Sequence, residues 1–214
     1  MTPTERPGSR PAAVTQGLLL TAGPVEEVAD WAARGVVPVV VAPLGERTVL
    51  VPQDRPAVRA PYDDAATLCA ARPAPVRAAP TLGCWLIGER AVLTVQSRHR
   101  RRQVSWVVWD PEHGVLRPPG IERASARPVV AAAGGGSRAE LTAMLAELHH
   151  PPVRLLQAVL DILGLPGAHL LAAPRAAQDL PGARVLLPDR REVGYFEDAV
   201  RDAVLLRREL GAEV

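Results

Sequence analysis

The segment SRHRRRQ sets Arg98, His99, Arg100, Arg101 and Arg102 side by side. Guanidinium groups that close could grip phosphate oxygens through paired N–H donors, and arginine also stacks on bases. Trp106 and Trp109 follow, within a run of alternating apolar residues that reads as a buried strand more than as a stacking platform for bases. The basic run lies between two strand patterns. A solvated hairpin tip, or a loop docking on an acidic protein, would use the same letters.

Three other groups could do chemistry. Gly134, Gly135, Gly136 and Ser137 precede a helical pattern, and a strand–GGGSR–helix segment could offer backbone N–H groups to a phosphate at the helix N-terminus. The Gly-Lys-Ser/Thr of a P-loop and the spacing of GxGxxG are both missing, so a flexible connector with a capped helix explains the segment as well. Arg47 and Arg90 each close a Gly-Glu-Arg turn and form a pair of candidate anion contacts. His149 and His150 stand before two prolines with no HExxH or HxH spacing. They read as charges suited to a helix C-terminus, and no metal site is expected. Asp63 and Asp64 match Glu26 and Glu27 as first-turn charges of two helices. No GxSxG elbow is present, and no nucleophile, base or metal cluster stands out. No cofactor is expected, and a binding protein is favoured over an enzyme.

Composition narrows the classes further. The chain has 214 residues, a formal net charge of +2, 48% hydrophobic and 22% charged residues, the proportions of a globular protein. Every one of its 25 basic residues is arginine, a coding habit of GC-rich bacterial genomes. The near balance of charge leaves little overall attraction for nucleic acid or membrane, so any such attraction must be local. The apolar run VVPVVVAPL is far too short to cross a bilayer. Cys69 and Cys84 lie in apolar patterns without a CxxC and read as small core residues in a reducing, cytoplasmic compartment. Residues 1–16 read as a mobile N-terminal arm.

Apolar periodicity places the elements. Leu18–Leu20 form a strand. The next helix has Pro24 at its first position, Glu26 and Glu27 in its first turn, and Arg34 in its last turn before Gly35. Strands follow at 36–43, with Pro38 demanding an edge or a later start, and at 48–53. A second helix, PYDDAATLCAAR, and a proline-rich link lead to strands at 82–87, 91–96 and 103–109, and to a short strand ending near Arg117.

GERTVLVPQ (45–53) matches GERAVLTVQ (88–96) at six of nine positions, and the helices PVEEVADWAAR and PYDDAATLCAAR match in pattern upstream. The match predicts a duplicated strand–helix–strand unit. Two in series give the ferredoxin-like order βαββαβ, with both helices on one face. The two Gly-Glu-Arg turns should then share one end of the sheet, about 14 Å apart at three strand spacings.

The C-terminal third reads as helical. Ser137 and Glu140 form a capping box, with Leu141, Met144, Leu145 and Leu148 as one stripe. Apolar residues cover most of the helix after Pro151 and Pro152, as in a helix central to a core. Residues 165–188 are broken by prolines and carry no assignment. A last helix runs from Asp189 to about Leu210, with Val193, Phe196, Val200 and Val204 in line and Glu197–Arg201 as a supporting pair.

The expected fold class is α+β: a mainly antiparallel sheet from the duplicated unit (17–133), extended by a hairpin, with a helical region (134–214) packed on it. The expected function is a non-enzymatic cytoplasmic binding or regulatory module acting through protein–protein association, with another protein or a second copy. Nucleic-acid or phosphate-ligand binding through the hairpin at 98–102 is the first alternative. A small-molecule site between sheet and helices is the second.

Overall fold

The computed structural model describes residues 16–53, 56–60, 62–98 and 103–211. Residues 1–15 of the expected N-terminal arm and residues 99–102 of the basic hairpin lie outside that set. An eight-stranded antiparallel sheet forms the middle layer. Its strands in chain order are β1 (Gly17–Thr21), β2 (Val39–Leu44), β3 (Arg47–Pro52), β4 (Thr81–Ile87), β5 (Arg90–Gln96), β6 (Ser105–Asp110), β7 (Gly114–Leu116) and β8 (Arg184–Leu186). Across the sheet they lie in the order β7-β6-β5-β4-β1-β3-β2-β8. Pro38 falls just before β2, where its missing N–H removes no ladder bond. The edge beside β2 is formed by β8, a strand within the unassigned segment 165–188.

Strands β1 to β6 are largely apolar on both faces because both are covered, whereas the edge strands β7 and β8 expose Val115, Arg184 and Val185. On one face Leu19, Val39, Val41, Leu50, Trp85 and Val92 meet α1 (Val25–Ala33) and α2 (Ala65–Ala71), so both crossover helices share a face as expected. The first turns of α7 (Arg190–Gly211) join them through Val193 and Phe196. On the other face Leu18, Leu20, Val40, Val49, Leu82, Leu93 and Trp109 meet α3 (Ala126–Ala133), α4 (Arg138–Ala146), α5 (Pro152–Ile162) and α6 (Ala168–Ala172). The helix after Pro151 is central to this layer, with Leu155, Leu156, Val159 and Leu160 buried.

Three expectations are corrected. The helical layer starts at Ala126, upstream of the triple glycine, and so GGGS joins two helices and follows no strand. Val129 and Val130 resemble a strand letter by letter, but they sit among alanines and the helix closes on Gly134 in the left-handed region, φ 76°. In α2 the acidic pair precedes the helix: Asp64 is the N-cap, accepting from the Thr67 N–H at 3.0 Å and from the Thr67 hydroxyl. Glu26 and Glu27 do occupy the first turn of α1.

The third correction concerns the two matching hairpins. β2 runs parallel to β1, because both are antiparallel to β3, whereas β4 is antiparallel to β1. The turn after β2 and the turn after β4 therefore lie at opposite ends of the sheet. The first hairpin folds inward, placing β3 beside β1; the second folds outward, placing β5 beside β6. The faces invert as well. Val49 packs under α3–α6 while its counterpart Val92 packs under α1–α2, and Leu50 and Leu93 are exchanged in the same way. What the two segments share is a two-residue hairpin whose first turn residue needs positive φ, Gly45 at 62° and Gly88 at 59°.

Candidate functional site

A cleft of about 450 Å³ opens on the α1–α2 face. The end of α1 supplies Trp31, Ala32, Arg34 and Gly35; Val39 and Leu50 form the floor; Leu68, Cys69 and Arg72 come from α2 and its end; Glu192, Tyr195 and Phe196 come from the first turns of α7. Phe196 is braced by Tyr62, ring edge to face with centroids 5.9 Å apart. The cleft exists because two short helices leave a gap above the sheet that the root of α7 only half closes.

Its polar centre is Arg72. The side chain lies over the Trp31 indole, Cζ 4.5 Å from the ring centroid, and Nη2 donates to the Trp31 carbonyl at 2.7 Å. A Cβ on Gly35 would stand 2.6 Å from Nη1, so the absence of a side chain there gives the guanidinium its room. Burial lowers the pKa of Arg72 first of all; Cys69 opposes that, Arg34 adds to it and Glu192 opposes it. The guanidinium stays charged throughout the working range of pH. Burial pushes the Cys69 thiol up to about 12, so it faces the cleft as a neutral group. Arg34 is exposed, and its side chain has no hydrogen bond or ion pair among the described residues.

Those residues were in view in the sequence, but as helix ends. The matched helices finish WAAR and CAAR, and the two arginines that close them meet at this cleft. The shared ending was the available signal.

The nominated residues are dispersed. Arg98 is held by a carbonyl, Nε donating to Ala79 O at 3.1 Å, and His99, Arg100, Arg101 and Arg102 lie outside the described residues. Arg47 caps α3, Nη2 donating to Ala132 O at 3.1 Å and Ala133 O at 2.5 Å, while Nη1 is buried without a partner. Arg90 pairs with Asp110 at 3.0 Å at the other end of the sheet. Ser137 caps α4, its hydroxyl accepting from the Glu140 N–H at 3.2 Å. Gly134 stands near Arg47, whose Nη2 would be 3.7 Å from a Cβ placed there, and Gly135 faces open space. His149 and His150 lie beyond the end of α4: His149 is in the left-handed region at φ 64°, and His150 meets Glu147 at 2.7 Å. Among the described residues no group of three His, Cys, Asp or Glu is placed to hold a metal ion.

The second feature is the far half of α7. Beyond its contacts with the body, Val204, Leu205, Leu206 and Leu210 are exposed, the last two at 56% and 62%. Arg201 pairs with Asp198 at 2.8 Å, not with Glu197. Among the described residues no helix is long and apolar enough to cross a membrane. The chain matches no family model, no curated protein and no solved structure.

Proposed function

We propose that the protein is a non-enzymatic binding module that works by protein–protein association, with the far half of α7 as its docking element and a second copy of the chain as the occupant. The observation that carries this reading is the set of exposed apolar side chains Val204, Leu205, Leu206 and Leu210, spread around the far half of a helix whose root alone packs on the body. Apolar surface held in water forgoes about 25 cal/mol per Å² that burial would return. Part of this surface also suits a copy of itself. On the face centred on Ala203, Val200 and Leu206 lie three residues away on either side, and Leu210 is one turn beyond Leu206. An isologous contact between antiparallel helices needs that kind of self-complementary patch.

We read the central strands β4-β1-β3-β2, with α1 and α2 as crossovers on one face, as the ferredoxin-like order, and place the duplication in the strand–helix–strand units alone. The strand order and the shared face support this; the hairpins are left out because their faces are exchanged. A reducing, cytoplasmic setting is supported by two cysteines that are buried and free.

Sedimentation equilibrium of the full chain tests the reading. The wild type should form a dimer, and the double variant Leu206→Asp, Leu210→Asp should be monomeric with an unchanged far-UV spectrum and thermal transition. A wild type that stays monomeric at high concentration overturns it. The rival reading, nucleic-acid or phosphate-ligand binding through Arg98–Arg102, requires tight binding that weakens steeply with salt and is lost when those arginines are replaced.

A further inference from the structure

We propose that the cleft between α1, α2 and the root of α7 binds a small organic monoanion: a carboxylate on an aliphatic or aromatic body, its head on Arg72 and Arg34 and its body on the apolar floor. This site is separate from the docking face of α7 and stands or falls independently of it.

Size and lining come first. A volume of about 450 Å³ lies inside the range of roughly 300–1,000 Å³ usual for small-molecule sites, which are mostly apolar with a few convergent polar groups. Val39, Leu50, Leu68 and the neutral Cys69 thiol supply the apolar part.

The charge decides the ligand. Two guanidinium groups and one carboxylate, Glu192, line the cleft. Glu192 forms no ion pair with either arginine, although its field reaches Arg72. The lining thus carries one net positive charge, which a monocarboxylate balances and a neutral molecule does not. Arg72 is already set for such a head group. Stacking on Trp31 and the Nη2 bond to its carbonyl fix the plane of the guanidinium. Nε and Nη1 have no acceptor among the described residues, and neither is sealed from solvent. A fixed fork with open donors matches the two oxygens of a carboxylate, and little side-chain freedom remains to be lost on binding. Arg34, exposed at the rim, adds the second cation without the burial that Arg72 carries.

Isothermal titration of the full chain with octanoate, 3-phenylpropanoate and the neutral octanol tests the assignment. At least one carboxylate should bind, and octanol should bind ten-fold or more weakly than octanoate. Arg72→Gln should cost about ten-fold or more in carboxylate affinity, the scale of a lost charge-assisted hydrogen bond. Arg34→Gln, on an exposed residue whose side chain has no internal partner, keeps the fold intact and should weaken the carboxylate while leaving octanol unchanged. The proposal is overturned if neither carboxylate binds, if octanol binds as well as octanoate, or if the carboxylate affinity is the same in both variants as in the wild type.

Discussion

Replacing Gly83 by alanine should strike the sheet at its tightest point. Trp85 is fully buried, and its Nε1–H donates to the Thr94 hydroxyl at 2.8 Å. The indole lies flat along the sheet over two glycines. A Cβ on Gly83 would come within 2.7 Å of Trp85 Cε2 and collide with Nε1 and the Thr94 hydroxyl; a Cβ on Gly17 would come within 2.5 Å of Trp85 Cε3. Alanine at 83 therefore drives the indole from its bed. Overpacking a filled core costs about 1–3 kcal/mol, and leaving a buried N–H unpaired costs about 1–3 kcal/mol more. The sum, about 2–6 kcal/mol, is a large share of the roughly 5–15 kcal/mol that holds a typical domain together. For a chain of this size it corresponds to a fall in Tm of roughly 5–20 °C. Urea unfolding followed by far-UV circular dichroism and tryptophan fluorescence measures it. Thr94→Val, which removes only the acceptor, should cost about 1–3 kcal/mol. The two changes together should cost less than their sum, since both act through one indole. A loss below about 0.5 kcal/mol for Gly83→Ala, the range of an ordinary surface change, or strict additivity with Thr94→Val, would refute the reasoning.

Two further outcomes are expected. Cys69 and Cys84, both buried with thiols pushed up to about 12, should react with a disulfide exchange reagent at pH 8 far more slowly than a free thiol; both should react at once in denaturant, and fast labelling of the native protein would contradict the burial. The Asp110 carboxyl is held well below its usual range by the His113 ring, then by Arg90 and by the N–H groups of Glu112 and His113. Its contribution to stability is therefore full above the unfolded value of about 3.9 and is lost as pH falls through the lower folded value. A carboxyl titration by NMR should show Asp110 rising toward the ordinary range in Arg90→Gln, and an unchanged titration would show that the arginine does nothing there.

The sequence was most informative where period and punctuation agreed. Alternating apolar residues and tight turns placed β1 through β7 within a few residues, and Ser137 with Glu140 marked the start of α4. It was least informative where an element is defined by its neighbour. β8 is three residues between prolines and exists because β2 offers it an open edge. α3 contains a proline and a valine pair, and is helical because Val129, Ala132 and Ala133 fill the face left bare by the sheet. The cleft falls in the same class. Arg34 and Arg72 are unremarkable helix ends in the chain, and become a pair only when Arg72 reaches the Trp31 carbonyl, 41 residues away.

The matched hairpins show why likeness along the chain is weaker than likeness in space. GERTVLVPQ and GERAVLTVQ share what a two-residue turn and a doubly covered strand both require: a glycine at positive φ, a polar tip and an apolar run. Such a run carries no mark of which side faces which helix layer, because both sides are buried. In a half-exposed strand, polar residues would have fixed the face, and a hairpin folding outward instead of inward would have shown as a slip in the alternation. Here the exchange of Val49 for Val92 and Leu50 for Leu93 between layers leaves the pattern intact. The charged residues carry the difference instead. Arg47, at the inward hairpin, reaches under the sheet to cap α3, and Arg90, at the outward one, pairs with Asp110 on β6. Exchanging their surroundings, not their letters, separated two arginines that the chain presents as equivalent.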